Sequence, residues 1–266
     1  MIYLDNASTS YPKPNELYKA INEYGKHIGA SPNRAMYSLA KKAEILVEST
    51  REQFAELFNL SNPNHLCFTL NATHSLNIAI KGILKKNDHV IITSFEHNAT
   101  FRPIFTATER GTISYDILES DKDGIFRLEC LETLIKCNTR LIICNHASNV
   151  IGVISPIKEI GYIAKKNKIP FLVDCAQTAG LLDIDVKEAC IDILAGTGHK
   201  SLLGPSGVGF LYLRDPELVN TLIEGGSGQN SLSPRHPKNM PHKFEAGTLN
   251  YLGITGLNAS LKYIKK

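Results

Sequence analysis

Lys200, in Thr197-Gly198-His199-Lys200, stands just past an apolar run of Ile191, Ile193, Leu194 and Ala195. About one β-α unit upstream, Asp174 ends a second run of Phe171, Leu172 and Val173 and opens Asp174-Cys175-Ala176-Gln177. Burying either charge beside such runs is costly without a partner. One chemistry uses both. The aldehyde of pyridoxal phosphate (PLP) forms a Schiff base with a lysine amine, and a carboxylate keeps its ring nitrogen protonated so that the ring becomes an electron sink.

Open parallel sheets bind ligands beyond the carboxyl ends of their strands. The residues that follow each apolar run are therefore the next candidates. Asn71-Ala72-Thr73 follows the run at 66–70 and opens a helical pattern, where free N–H groups and the helix dipole favour a phosphate. Asn71 and Thr73 read equally well as ordinary N-caps. Glu96-His97-Asn98 follows the run at 89–93, and Ser148-Asn149 follows the run at 140–145. His97 can stack on a flat ring or sit in a surface loop. Asn149 and Gln177 can hydrogen-bond a ring hydroxyl or fill turn and cap roles. A phosphate-loop reading of Gly198-His199-Lys200-Ser201 has the wrong order, because the glycine-rich part follows the lysine.

The elements that must position these residues alternate along the chain. Strand-like runs are expected at 66–70, 89–93, 112–118, 140–145, 170–174, 191–196 and 208–213. Helical patterns are expected at 14–27, 38–59, 73–84, 100–109, 156–167, 216–222 and 252–264. The last carries an apolar face of Leu252, Leu257, Leu261 and Ile264. Such alternation predicts an α/β fold with a mostly parallel seven-stranded sheet sandwiched by helices. The segment from Glu224 to His242 reads as loop. The expected organisation is an N-terminal arm and helix at 1–30, a cofactor-binding large domain at 31–250 and a final helix at 251–266.

The 266 residues are 43% hydrophobic and 21% charged, an ordinary globular composition with material for one large core. A net charge of +3 without a Lys/Arg run gives no surface suited to nucleic acid or membrane. No run approaches the length of a membrane span, and Met1-Ile2-Tyr3-Leu4-Asp5 lacks a signal pattern, so a cytoplasmic location is expected. The six cysteines form no C-x-x-C pair and read as free thiols of a reducing compartment, with no metal site.

Taken in order, the segments Tyr3-Leu4-Asp5-Asn6-Ala7-Ser8-Thr9, Asn33-Arg34-Ala35-Met36-Tyr37-Ser38-Leu39, Asn71-Ala72-Thr73, Glu96-His97-Asn98-Ala99, Ser148-Asn149-Val150-Ile151-Gly152, Asp174-Cys175-Ala176-Gln177, Gly198-His199-Lys200 and Phe244-Glu245-Ala246-Gly247-Thr248 resemble the class V aminotransferase group of fold-type-I PLP enzymes. They are most similar to its cysteine desulfurase and selenocysteine lyase branch. The resemblance implies that Lys200 carries PLP and moves the substrate Cα proton. It implies that Asp174 holds the ring nitrogen, that Gln177 and Asn149 serve the ring oxygen side, and that His97 stacks on the ring. Ala72, Thr73, Thr197 and His199 are expected to hold the phosphate. Gly247 and Thr248 are expected to reach the phosphate of a second subunit, so a homodimer is implied, with Gly226-Ser227 near the same interface. The implied reaction turns L-cysteine into L-alanine and an enzyme persulfide, destined for a sulfur-acceptor protein in iron–sulfur or thio-cofactor synthesis.

In that family a C-terminal portion supplies the sulfur-accepting cysteine and the arginine for the substrate carboxylate. A portion on the order of 100 residues is expected to be missing here. Neither Cys175 nor Arg34 is assigned to those roles. A non-catalytic PLP-binding homologue and another class V lyase remain open beside the desulfurase reading.

Overall fold

The structure, a computed structural model, describes residues 2–32, 37–228 and 232–265. Asn33, Arg34, Ala35 and Met36 of the second family segment lie outside the described residues, as do Gln229 and Asn230 of the predicted loop. Seven strands form one sheet: β1 (Leu66–Thr69), β2 (His89–Thr93), β3 (Ser114–Leu118), β4 (Thr139–Asn145), β5 (Phe171–Asp174), β6 (Ile193–Thr197) and β7 (Gly209–Leu213). Their order is β1-β7-β6-β5-β4-β2-β3. The steps from β3 through β6 are all parallel, and only β7 runs against its neighbours β1 and β6.

Successive side chains of a strand point to opposite faces, and both faces here are covered. Ile142, Phe171, Val173, Leu194 and Phe210 share one core cluster, while Leu141, Ile143, Leu172, Ile193 and Leu211 share the other. That double burial is why the runs are continuously apolar instead of alternating. Helices α2 (Ser38–Phe58), α5 (Leu128–Leu134), α6 (Ile157–Lys166) and α7 (Tyr251–Ile264) contribute to the first cluster through Phe54, Leu131, Ile160 and Leu257. Helices α3 (Ala72–Ile83) and α4 (Asn98–Glu109) contribute to the second through Leu76, Ile80 and Ile104. Helix α1 (Asn15–His27) packs along α7.

β1 lies at the sheet edge, and side chains bond two of its outward backbone groups. Phe68 N–H donates to Glu245 Oε1 at 2.7 Å, and Arg51 Nη1 donates to the Leu66 carbonyl at 3.4 Å. Arg51 and Glu245 pair at 2.8–3.1 Å with both side chains buried, and the guanidinium lies 4.7 Å from the Phe68 ring centroid.

Two expectations need correction, and one helix was not foreseen. The helix expected at 216–222 is only a 3₁₀ turn, Pro216–Leu218. The Asp215 side chain caps it through the Glu217 N–H, and Asn220 then leaves to bond the Gly82 carbonyl through both its N–H and its amide. The inward face of α7 is Ile254, Leu257 and Leu261; Leu252 is 46% exposed, one position out of phase. Finally, α5 was not expected, because a two-turn helix burying only Leu131 leaves too few periodic positions to read.

Candidate active site

The shared strand direction brings the carboxyl ends of β4, β5 and β6 to one edge of the sheet. There they meet the N-termini of α3 and α4 around a cavity of about 290 Å³. Ala72, Thr73, His97, Asn149, Asp174, Gln177, Thr197, His199 and Lys200 all line it. These are the cofactor residues expected from the sequence, apart from Gly247 and Thr248. A larger groove of about 630 Å³ between α3 and α4 shares Thr73, His97 and Ala99 with this mouth, but holds neither Asp174 nor Lys200.

Asp174 is the last residue of β5 and is 2% exposed. Its Oδ1 accepts the Ala176 N–H at 2.9 Å. Burial pushes the carboxyl pKa up, while that hydrogen bond and the nearby His97 and Lys200 pull it back down. Lys200 lies in the turn after β6. Burial lowers its pKa and the Asp174 charge opposes the shift, so the amine is easier to free of its proton than an ordinary lysine. Thr197 ends β6, and its Oγ1 is buried with no hydrogen-bond partner. Such a group is costly unless a ligand completes it.

The phosphate-side candidates follow from helix geometry. Asn71 Oδ1 caps α3 by accepting the His74 N–H at 2.9 Å. The first N–H groups of a helix, those of Ala72 and Thr73, have no intrahelical acceptor. Gly209 of β7 lets this helix start sit against the sheet: a Cβ there would come within 2.5 Å of the Asn71 backbone. His97 caps α4, its Nδ1 accepting the Ala99 N–H at 3.1 Å, which leaves the ring at the cavity.

The N-terminal arm closes the flank, a feature that sequence reasoning missed. The His199 carbonyl accepts from Ser10 N–H, Ser10 Oγ, Thr9 Oγ1 and the Lys13 ammonium at 2.6–3.1 Å. Burial lowers the Lys13 pKa to about 8. The His199 ring meets Thr9 Oγ1 at 3.0 Å, and Gln177 Nε2 donates to the Ala7 carbonyl at 2.9 Å. So His199 and Gln177 face the cavity while also fastening the arm. Only Tyr3-to-Thr9 as a family segment hinted at this. Asn145, at the end of β4, also lines the cavity without having been expected.

Gly247 and Thr248 lie elsewhere. The Gly247 N–H donates to the Gly226 carbonyl at 2.7 Å, which joins the two segments expected near an interface, and Thr248 lines a separate small cavity beside β1. Four of the six cysteines are buried, Cys130 is partly buried and Cys137 is exposed; none lines the active-site cavity.

Known proteins share this sequence family and fold. The class-V aminotransferase family profile matches residues 2–266. A probable cysteine desulfurase of Methanothermobacter thermautotrophicus is 35% identical over 270 residues, covering 100% of this chain and 67% of the relative. The apo structure of a cysteine desulfurase from Thermococcus onnurineus NA1 superposes with a TM-score of 0.92 at 32% identity, over 99% of this chain and 67% of that one. A structure of SspA in complex with cysteine gives 0.87 at 30% identity, over 99% and 73%. The chain thus spans about two thirds of the length of these relatives.

Proposed function

The chain belongs to the class-V aminotransferase family, and on that premise we propose that it acts in PLP-dependent desulfuration of L-cysteine. The products are L-alanine and a sulfur atom held as a persulfide on a protein cysteine. The observation that carries the proposal is the convergence of Asp174, Lys200 and the unpartnered Thr197 hydroxyl on one cavity. Its relatives are cysteine desulfurases, and one solved neighbour is described with cysteine bound.

The residues present fit PLP. The buried Thr197 Oγ1 lacks a partner that a phosphate oxygen would supply, and the Ala72 and Thr73 N–H groups lie at the same mouth. When bound, PLP supplies an electron sink for the electrons left on the substrate Cα. Everything else falls to the chain. Asp174, largely stripped of water, would hold a proton at the ring nitrogen. His97 would pack against the ring, and Asn149 and Gln177 would hydrogen-bond its oxygen substituent. Lys200, its ammonium destabilised by burial, would hold the cofactor through its amine and would be the group placed to move the Cα proton. Thr197 and His199 steady the phosphate side with the start of α3.

Among the described residues no cysteine or arginine lines the cavity, so in this proposal the sulfur-accepting thiol and the carboxylate clamp come from outside that lining. We place Gly247 and Thr248 at the phosphate of a second subunit in a homodimer. We assign the protein to the cytoplasm, and its sulfur to an acceptor protein. Among the described residues no helix is long and apolar enough to cross a membrane.

The deciding experiment is the absorption spectrum of the PLP-loaded protein before and after L-cysteine. A visible band that shifts on addition, with L-alanine formed when a thiol acceptor is present, supports the reading. A protein that takes up no PLP overturns it, and a band unmoved by L-cysteine overturns the substrate.

A further inference from the structure

We propose that Glu96, which its surroundings bias toward the neutral acid, is a positioning residue that fastens the turn between β2 and α4 to the end of β4 and so fixes His97 at the cavity. The fastening is a two-way clasp. Glu96 Oε1 accepts the Asn145 N–H at 2.7 Å, and Asn145 Nδ2 donates back to the Phe95 carbonyl at 2.9 Å. Thr93 Oγ1 adds a second donor to the same Glu96 oxygen at 2.6 Å. Asn145 is itself held, since its carbonyl accepts Ser155 Oγ at 2.6 Å. His97 is the next residue. It is therefore pinned from behind by the clasp and from ahead by its own cap on α4. Two rigid attachments on either side of one residue are what hold a ring in place over a ligand.

The neutral form follows from the surroundings. Both donors converge on Oε1, while Oε2 is enclosed without a hydrogen-bond partner. Thr100 Oγ1, from the first turn of α4, is a polar neighbour of the carboxyl and is likewise buried without a hydrogen-bond partner. Among the described residues no lysine, arginine or histidine pairs with the carboxyl. The titratable groups that face it are Asp174 on β5 and the buried Cys144 thiol on β4. An ionised Glu96 would place a second anion near Asp174, whose own charge His97 and Lys200 already offset. Burial accordingly raises the Glu96 pKa to about 7 despite the hydrogen bonds that favour the anion. A neutral Glu96 leaves Asp174 as the anion of this sheet end. The consequence for a bound ring rests on the proposed function; the clasp does not.

The test has two arms. In the apoprotein, the melting temperatures of wild type and Glu96→Gln are followed from pH 4.5 to 8.5. Glutamine keeps the two accepted hydrogen bonds and cannot ionise, so the advantage of wild type over the variant should shrink between about pH 4.5 and 7 and level off above that. Parallel curves overturn the neutral-acid assignment. In the second arm, PLP affinity and the visible circular dichroism of the bound cofactor are compared for wild type, Glu96→Gln and Glu96→Ala. Alanine should weaken binding about tenfold and diminish the dichroic band, with glutamine restoring both, as expected for loss and return of one anchoring contact. Equal damage from both variants, or none from alanine, overturns the positioning role. Should Glu96→Ala not fold, an undiminished band in Glu96→Gln supports the role and a lost one overturns it. If wild type itself binds no PLP, the proposed function fails and the apoprotein arm alone decides the clasp.

Discussion

At the scale of single residues, the site is a balance between burial and charge. Lys200 is the covalent anchor in the proposed function, so borohydride reduction of the PLP-loaded protein should fix the label on the peptide containing Lys200. Lys200→Ala should take up no covalent label, and peptide mass spectrometry that finds PLP on another lysine would refute the assignment. Thr197 allows a prediction with two signs. Its buried hydroxyl has no partner in the chain, so Thr197→Val should leave the apoprotein as stable or raise its melting temperature. The same change should weaken PLP binding about tenfold, the value of one lost hydrogen bond to a charged group. A variant that binds PLP as tightly as wild type would remove Thr197 from the phosphate set.

At the scale of elements, the joint between α2 and the edge strand rests on one buried ion pair. Glu245 holds the Phe68 N–H and neutralises the buried Arg51. Glu245→Ala strands a buried guanidinium, and removing one member of such a pair costs about 3–5 kcal/mol. Denaturant titration should show that loss, and a change below about 1 kcal/mol would mean that water reaches Arg51. Much at this scale was legible in the sequence. The strands carrying Thr93, Asn145, Asp174 and Thr197 announced themselves as apolar runs because both faces of a covered parallel sheet are dry. Their polar termini marked the site because the strand direction gathers them. The α2–β1 joint could not be read, because Arg51 and Glu245 are 194 residues apart. The clamp of the arm on the His199 carbonyl was hidden for the same reason, since its pairs span 186–190 residues. The turn at Pro216 was misread as a helix because Asn220 finds a tertiary partner that outcompetes the local pattern.

At the scale of the whole molecule, two buried groups near one sheet end titrate in opposition. Glu96 rises from 4.5 to about 7 on folding, and His146, buried on Thr178 Oγ1, falls from 6.5 to about 4. A raised acid loses its stabilising contribution as pH rises through the folded value; a depressed base loses its own as pH falls through the folded value. Each contribution is about 3 kcal/mol. Between about pH 4.5 and 6.5 the two slopes cancel, so these groups together give wild type a flat stretch there. His146→Gln should expose the Glu96 slope, with stability falling as pH rises, as read by urea denaturation at several pH values. A His146→Gln profile parallel to that of wild type would refute the opposition. The edge strand has a last consequence. A row of unpaired N–H and C=O groups invites a strand from a neighbouring molecule. On β1 the Glu245 carboxylate accepts the Phe68 N–H and the Arg51 guanidinium donates to the Leu66 carbonyl, so the ion pair should blunt this edge against such pairing. Cells making the Glu245→Ala form should therefore accumulate it as β-rich aggregate, even at temperatures where the isolated protein still folds.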